Sequence, residues 1–315
     1  MKPDTAAIML KSDLIIKFDY PLKYASTIGI GGPADLFIEV HSKPQMLAAI
    51  AYCKDHNHNY MVIGKGSNVL FSDLGFKGAV ILNKIDFCDD LGSGLFYAGA
   101  GFSFSLLGTR TAKDGWSGLE FAAGIPASVG GAVYMNAGAN GTDTASHIKA
   151  IEYIDDKGQE HVLIREDIDF GYRFSSFQKM PQSVIVAATF ALHPNTSARA
   201  MQLKIIAHRT LSQPLREKSA GCIFQNDSQK SAGALIDECN LKGVSVGDAE
   251  VSSMHANFII NKGNATASDV LALILCIQEE LKVKKNIHLR TEIQIIPHSV
   301  DNLLSESSKP LQNKS

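Results

Sequence analysis

The sequence predicts an α+β fold in three successive regions, on three observations. Residues 1–76 hold a β-α-β pattern, residues 77–195 a cluster of strand patterns split by glycine-rich loops, and residues 196–298 two helix patterns around short strands. In the first region "DLFIEV" (Asp35 to Val40) and "YMVIG" (Tyr60 to Gly64) read as strands. The segment between them, "SKPQMLAAIAYCKDHN", reads as a helix, with Ser42 as its N-cap and Pro44 in the first turn, where a missing N–H costs little. In the second region "GAVIL", "LFYAGA", "AIEYIDD", "EHVLI" and "SVIVAATFAL" read as strands, with one helix near Ser103 to Asp114. The third region opens with a helix pattern from Thr196 to Ser212 and closes with "TASDVLALILCIQEELKVKKN". There Thr266 and Asp269 form a capping-box pair, and Val270, Leu271, Ile274, Leu275, Ile277, Leu281 and Val283 make a broad apolar face. The segment 299–315 is polar and without periodicity, and is expected to be mobile.

Composition excludes several classes. Hydrophobic residues at 45% and charged residues at 20% are ordinary for a soluble protein, and a formal net charge of -2 provides no basic field for nucleic acid. Cys53, Cys88, Cys222, Cys239 and Cys276 are scattered, with no CxxC pair or metal-ligand spacing, so a reducing compartment and no metal are expected. The opening "MKPDTAAIMLKSDLIIKFDY" breaks its apolar residues with Lys and Asp and does not read as a secretory signal. No apolar run reaches the roughly 18 residues of a membrane span, and the expected location is the cytoplasm.

Two stretches concentrate small residues beyond what a turn needs: "GKGSN" (Gly64 to Asn68), directly after a strand, and "GLEFAAGIPASVGGAVYMNAGANG" (Gly118 to Gly141). The first can aim several backbone N–H groups at one anion, though it fits neither the P-loop nor GxGxxG, and by itself reads equally as a tight turn. In the second, Gly124, Gly130, Gly131, Gly138 and Gly141 disfavour a helix or strand interior and favour close backbone approach to a ligand. Two phosphate-compatible loops point to a dinucleotide cofactor.

"TIGIGGPAD", "VIGKGSNVLFSD", "GLEFAAGIPASVGGAVYMNAG", "FGYRFSSF", "SAGCIFQN" and "VSSMHANFIIN" occur in the order found in UDP-N-acetylenolpyruvoylglucosamine reductases, and from about Tyr20 to Pro297 the chain resembles that family. The resemblance implies a flavoenzyme of bacterial peptidoglycan synthesis that uses NADPH to reduce UDP-N-acetylglucosamine enolpyruvate to UDP-N-acetylmuramate. It implies a two-part FAD-binding domain of the vanillyl-alcohol-oxidase type, here residues 1–76 and 77–195, and a C-terminal α+β substrate-binding domain, here 196–298. The compact stretch from Ser219 to Asn261 is similar to the shorter family members, which lack an insertion bearing a substrate-covering tyrosine.

By the same resemblance Arg173 binds the substrate carboxylate, Glu292 polarises the enolpyruvyl group, and Cys222, where many members have serine, donates the proton. Chemistry agrees: a guanidinium stays charged and can fork onto a carboxylate, and a neutral thiol is a competent acid. Burial keeps Cys222 protonated, whereas a nearby Arg173 or Arg216 lowers its pKa; a cysteine here also implies sensitivity to thiol reagents. The bland readings are a surface ion pair for Arg173, a solvated strand face for Glu292, with Leu289, Thr291, Ile293 and Ile295 opposite, and a small buried hydrophobe for Cys222. FAD contacts carried over are Gly64, Gly66, Ser67, Asn68 and Val69, then Gly124, Ile125, Pro126, Ser128, Val129, Gly130, Asn136 and Gly138. Neither loop holds a histidine, so non-covalent FAD is expected. Asn226 matches a substrate contact; Gln225, His255 and Asn257 are weaker candidates, and His255 reads equally as a structural histidine. Asn140 stands where the family commonly has tyrosine, and Lys65 replaces a frequent glycine. The alternatives are another FAD-dependent oxidoreductase of this fold and a flavin-binding module without catalysis.

Overall fold

A computed structural model describes residues 7–9, 13–180, 182–227 and 230–297. The tail expected to be mobile, 299–315, lies outside the described residues, as does part of the N-terminal segment. Among the described residues no helix is long and apolar enough to cross a membrane.

The first region supplies β1 (Ala7–Met9), β2 (Ile15–Pro21), β3 (Pro33–Val40), helix α1 (Lys43–Asp55), β4 (Tyr60–Ile63), the short β5 (Val69–Phe71) and β6 (Phe76–Asn83). Its sheet runs β1-β2-β3-β6-β4, with β6 parallel to both β3 and β4. The "GAVIL" strand expected in the second region is therefore an interior strand of the first sheet, between β3 and β4, and it continues to Asn83. Helix α1 forms as the sequence predicts: the Ser42 side chain accepts from Gln45 N, Pro44 sits in the first turn, and Met46, Ala49, Ile50 and Cys53 fall on the buried face. Helical spacing of that set places one stripe against the sheet, and burying a side chain such as Ile50 contributes roughly 1.5–3 kcal/mol.

The second region contributes β7 (Cys88–Gly92), β8 (Leu95–Gly99), α2 (Phe104–Lys113), β9 (Trp116–Ser117), α3 (Val129–Tyr134), β10 (Gly138–Ala139), β11 (Thr142–Asp143), β12 (Ile148–Ile154), β13 (Glu160–Ile164), β14 (Phe170–Gly171), β15 (Phe174–Ser175), β16 (Val184–Ala191) and β17 (His193–Pro194). Its sheet is antiparallel, β13-β12-β16-β8-β7. Central β16 reads VIVAATFA and is buried along nearly its whole length, because both of its faces are covered. On one side it packs with Phe104, Phe121 and Val133 of its own region; on the other Val184 and Val186 join Ile38, Met46 and Ile81 of the first region.

The third region contains α4 (Ala198–Ser212), β18 (Ser219–Cys222), α5 (Ala232–Glu238), β19 (Ser245–Val246), β20 (Ala249–Val251), β21 (Phe258–Asn261), α6 (Ala267–Lys285) and β22 (Gln294–Ile296), with sheet order β18-β21-β20-β19. The capping box of α6 is present, Thr266 with Asp269. Its buried face is Ala267, Val270, Leu273, Ile274, Ile277 and Leu281. Leu275 and Val283, expected on that face, are 43% and 73% exposed. This region is anchored to the first: Ile28, Ile30 and Leu70 belong to its core, β22 pairs in parallel with β5, and the Asp73 carboxylate accepts from Ala267 N and Ser268 N at the start of α6. The first region thus shares a core with each of the others.

Candidate active site

The loop after β4 is pressed against two neighbours. Gly66 has φ +62, and a Cβ there would collide with the Ala25 carbonyl; a Cβ on Gly64 would collide with the Ser128 hydroxyl. Glycine is required at both positions, and at Gly64 the requirement brings the two small-residue stretches into contact. Asn68 ties the loop to the C-terminus: its Nδ2 donates to Glu292 O at 3.2 Å, and its carbonyl accepts from Gln294 N at 2.9 Å. Lys65 Nζ donates to Ser103 Oγ at 2.7 Å, and burial holds its pKa below the ordinary lysine value, with Asp86 pulling the other way.

The second stretch is not the continuous loop its glycines predict. Ser128 caps α3, accepting from Gly131 N at 3.2 Å, and Gly130 and Gly131 lie inside that short helix. Packing overrides propensity here: Gly130 N donates to Ala100 O at 2.8 Å, and a Cβ on Gly130 would sit 2.9 Å from Ala100 Cβ. Val129 and Ser128 are buried, whereas Pro126 is exposed and Gly124, Ile125 and Gly138 are half-buried. Asn136 is 2% exposed and its amide is committed within the protein, to Asp143 Oδ2 (3.0 Å), Gly171 O (2.9 Å) and Ala145 N (2.9 Å). Its side chain fastens the β10/β11 hairpin to the hairpin that carries Arg173. Asn140 and Gly141 form the tip of β10/β11 with φ of +55 and +82, so the residue at the family's tyrosine position is a turn asparagine.

Arg173 sits at φ +54 in the turn between β14 and β15. Its Nε donates to Glu292 Oε1 at 2.7 Å, with both side chains largely buried, 19% and 14% exposed. Glu292 is not in the strand expected for "HLRTEIQII", since only Gln294–Ile296 pairs as β22. Leu289 and Ile293 are buried and Arg290 exposed as alternation predicts, but Thr291 and Ile295 are half-buried, as is Glu292. Glu292 reaches the site through its backbone: Glu292 N donates to Ile223 O at 2.7 Å, and Thr291 bridges Phe224, so this segment runs beside the residues that follow Cys222.

Cys222 ends β18 at a bulge against β21, with Gly221 at φ +77. Such a bulge re-aims the side chain that follows it. Burial and the Glu292 carboxylate push the thiol up to about 12, against the pull of Arg173, Arg209 and the Asn257 amide. Burial likewise raises Glu292 above the ordinary carboxylate, with Arg173 opposing. The second cation in reach of Cys222 is Arg209, on α4; Arg216, named from the sequence, is exposed. Nothing in the sequence marks Arg209, a lone arginine in the last turn of a helix that buries only Ala198 and Gln202.

The weaker candidates are structural. Asn257 is 2% exposed and brackets Phe224, donating to its carbonyl at 2.8 Å and accepting from its N–H at 2.9 Å. His255 accepts from Asn257 N at 3.2 Å and sits edge-on to Phe258, and burial lowers its pKa, which favours the neutral ring. Gln225 N donates to Arg290 O. Asn226 is exposed; its Oδ1 accepts from Ala232 N at 3.0 Å and its N–H donates to Tyr172 Oη at 3.2 Å. Tyr172, also unmarked in the sequence reading, stacks under Arg173, with the guanidinium carbon 5.0 Å from the ring centroid. The donor set fits a cofactor that carries a diphosphate. The loop after β4 can offer backbone N–H groups, whereas those of Gly124, Ile125, Val129, Gly130 and Gly131 are bonded within the protein; Lys65 and Arg209 bring positive charge without an ion-pair carboxylate among the described residues.

Comparison with known proteins places these residues in context. The profile of the UDP-N-acetylenolpyruvoylglucosamine reductase C-terminal domain matches residues 213–296, and that of an FAD binding domain matches residues 34–163. A UDP-N-acetylenolpyruvoylglucosamine reductase of Protochlamydia amoebophila is 49% identical over 280 residues, 89% of this chain and 93% of that protein. One of Chlamydia trachomatis serovar L2 is 47% identical over 277 residues, 88% of this chain and 94% of the other. The crystal structure of the Thermus caldophilus reductase superposes with a TM-score of 0.76 at 38% identity, over 88% of this chain and 97% of that one.

Proposed function

Because the chain belongs to the UDP-N-acetylenolpyruvoylglucosamine reductase family, FAD-dependent enzymes of peptidoglycan synthesis, we propose that it reduces UDP-N-acetylglucosamine enolpyruvate to UDP-N-acetylmuramate, with NADPH as reductant and Cys222 as proton donor. The observation that carries this reading is the meeting of Arg173, Cys222 and Glu292 from three distant parts of the chain.

The reaction adds hydride to the terminal alkene carbon and a proton to its neighbour, and negative charge builds between that neighbour and the carboxylate. FAD would be held non-covalently by residues of the two small-residue stretches, and when bound it would supply the hydride. Arg173 grips the carboxylate: its bond to Glu292 engages Nε, which leaves the two terminal nitrogens of the fork to donate to a bound carboxylate. Glu292 holds that guanidinium in place and polarises the enolpyruvyl group. Cys222 keeps its proton on Sγ across physiological pH and delivers it to the carbanionic carbon, which is far more basic than a thiolate. The thiolate left behind is stabilised by Arg173 and Arg209 until it is reprotonated.

Gly64, Gly66, Ser67, Asn68 and Val69 with Gly124, Ile125, Pro126, Ser128, Val129, Gly130, Asn136 and Gly138 are assigned to FAD, and Asn226 to the substrate. Residues 77–195 complete the cofactor-binding part begun by the first region, and 196–298 close over the substrate, with the first boundary moved beyond β6. The reading places the enzyme in the cytoplasm, where the nucleotide sugar and NADPH are found. Its test is direct: the purified protein is yellow with bound FAD, and NADPH oxidation accelerates on addition of the enolpyruvyl nucleotide. A colourless protein that cannot be loaded with FAD, or reduced flavin whose reoxidation the substrate does not accelerate, contradicts it.

A further inference from the structure

Arg173 is the second residue of the turn between the paired residues Gly171 and Phe174, and its φ of +54 lies in the left-handed region, which an arginine rarely adopts. The hairpin cannot impose this by itself, because β14 and β15 are only two residues each. A disfavoured conformation persists where the surroundings determine it, and here they act on both ends of the residue. At the side-chain end Glu292 engages Nε, and the Tyr172 ring lies under the guanidinium. At the backbone end the Gly171 carbonyl, just before the turn, accepts from Asn136 Nδ2 at 2.9 Å, and the Arg173 carbonyl accepts from Gln178 Nε2 at 3.1 Å.

Gln178 has a second partner. Its Nε2 also donates to Tyr134 O at 2.9 Å, where Ser175 Oγ, fully buried, donates at 2.7 Å. Tyr134 is the last residue of α3, and the final carbonyls of a helix have no donor within it. The end of α3 is therefore closed by two side chains of the segment that carries Arg173. The other end of α3 is capped by Ser128, whose hydroxyl fills the space a Cβ on Gly64 would need. A helix of 6 residues, about 9 Å at 1.5 Å per residue, thus spans from the loop after β4 to the point where the arginine's turn is fastened. On the reductase reading given above, we infer that Gln178 is a positioning residue for Arg173: one amide joins the arginine's carbonyl to the end of α3 and so holds the guanidinium where it meets the substrate carboxylate.

The test uses purified holoenzyme with Gln178→Met, which keeps the length and loses the donor, and Gln178→Lys, which keeps a donor, each in the wild-type and the Arg173→Lys background. It reads the FAD-to-protein ratio, the melting temperature, the affinity of the oxidised protein for the enolpyruvyl nucleotide and kcat/KM. Gln178→Met is expected to retain FAD and the wild-type melting temperature while affinity and kcat/KM each fall about tenfold, with most of the loss recovered in Gln178→Lys. In the Arg173→Lys background the same substitution should cost less than about twofold, because residues that act through one another are not additive. A full tenfold loss in that background would show that Gln178 acts independently of Arg173 and overturn the inference. Unchanged affinity and kcat/KM in Gln178→Met would overturn it as well. So would a loss that tracks a lower melting temperature or FAD content and that Gln178→Lys does not recover, which would make the residue merely structural. Failure of the reductase reading itself is separate, since it appears in the wild type as absent FAD or as reduced flavin the substrate cannot reoxidise.

Discussion

Arg173 Nε lies 2.7 Å from Glu292 Oε1, although 119 residues separate the two along the chain. The bond joins a hairpin of the second region to the segment leading into β22, and it fixes the guanidinium beside Cys222. Arg173→Lys keeps the charge but loses the planar fork, and should lower kcat/KM for the enolpyruvyl nucleotide by about 10²–10³-fold. Flavin reduction by NADPH should be unchanged. Glu292 titrates above the ordinary carboxylate value of 4.5, because burial outweighs Arg173. Acidification therefore protonates it early and breaks the pair, so the acid limb of kcat/KM is displaced upward. In Glu292→Gln that limb should disappear from the pH profile.

The Cys222 thiol, raised from 9.0 to about 12, is a poor nucleophile at neutral pH. The sensitivity to thiol reagents that a cysteine here implies is accordingly weak. At pH 8 its thiolate fraction is about 10³-fold below that of an unperturbed thiol, and iodoacetamide should label it correspondingly slower than free cysteine in solution. Labelling followed by peptide mass mapping checks this, with bound substrate lowering the Cys222 rate further. Fast, pH-independent alkylation of Cys222 between pH 7 and pH 8 would contradict the protonated thiol.

Gly64→Ala places a methyl group on the Ser128 hydroxyl and forces the two small-residue stretches apart. The expected outcome is a loss of roughly 1–3 kcal/mol of stability and a low FAD-to-protein ratio. Gly243→Ala serves as the control: a Cβ there meets nothing within 4 Å, so its φ of +78 adds only local strain. Absorbance of bound flavin and thermal melts distinguish the two.

Glu39, within β3, bridges Lys17 at 3.0 Å and Lys84 at 2.5 Å. Burial opposes its charge, yet the two ammonium groups outweigh it and bring its carboxyl down to about 2. A depressed carboxylate pKa contributes stability that is present above the unfolded value near 4.5 and is lost as pH falls through about 2. Melting temperatures of wild type and Glu39→Gln should thus differ at pH 5 and converge toward pH 2.

Local devices were legible in the sequence, and long-range ones were not. The Ser42 cap of α1 and the Thr266–Asp269 box of α6 involve residues within three positions, so their chemistry is written in adjacent letters. The strand at "GAVIL" was equally visible, but its place between β3 and β4 depends on partners its own residues do not name. The alternation around Glu292 read as a long strand, whereas β5 offers only Val69–Phe71 for pairing and limits β22 to Gln294–Ile296. Gly130 and Gly131 enter a helix because Ala100 packs against it, and Arg209 joins the site across α4 and Gly124 with no motif around it. Arg173, Cys222 and Glu292 could be named because ordered motifs identify the family, while the contact between them is a property of the fold alone.

The most direct test of the central claim is a rapid-reaction comparison of wild type, Cys222→Ala and Cys222→Ser, measuring flavin reduction by NADPH and reoxidation by the enolpyruvyl nucleotide as separate half-reactions. The account predicts unchanged reduction in all three, reoxidation slowed by at least about 10²-fold in Cys222→Ala, and substantial recovery in Cys222→Ser, whose hydroxyl can donate the same proton. Equal slowing of both half-reactions in Cys222→Ala, or reoxidation at the wild-type rate, would contradict a proton-donor role for Cys222.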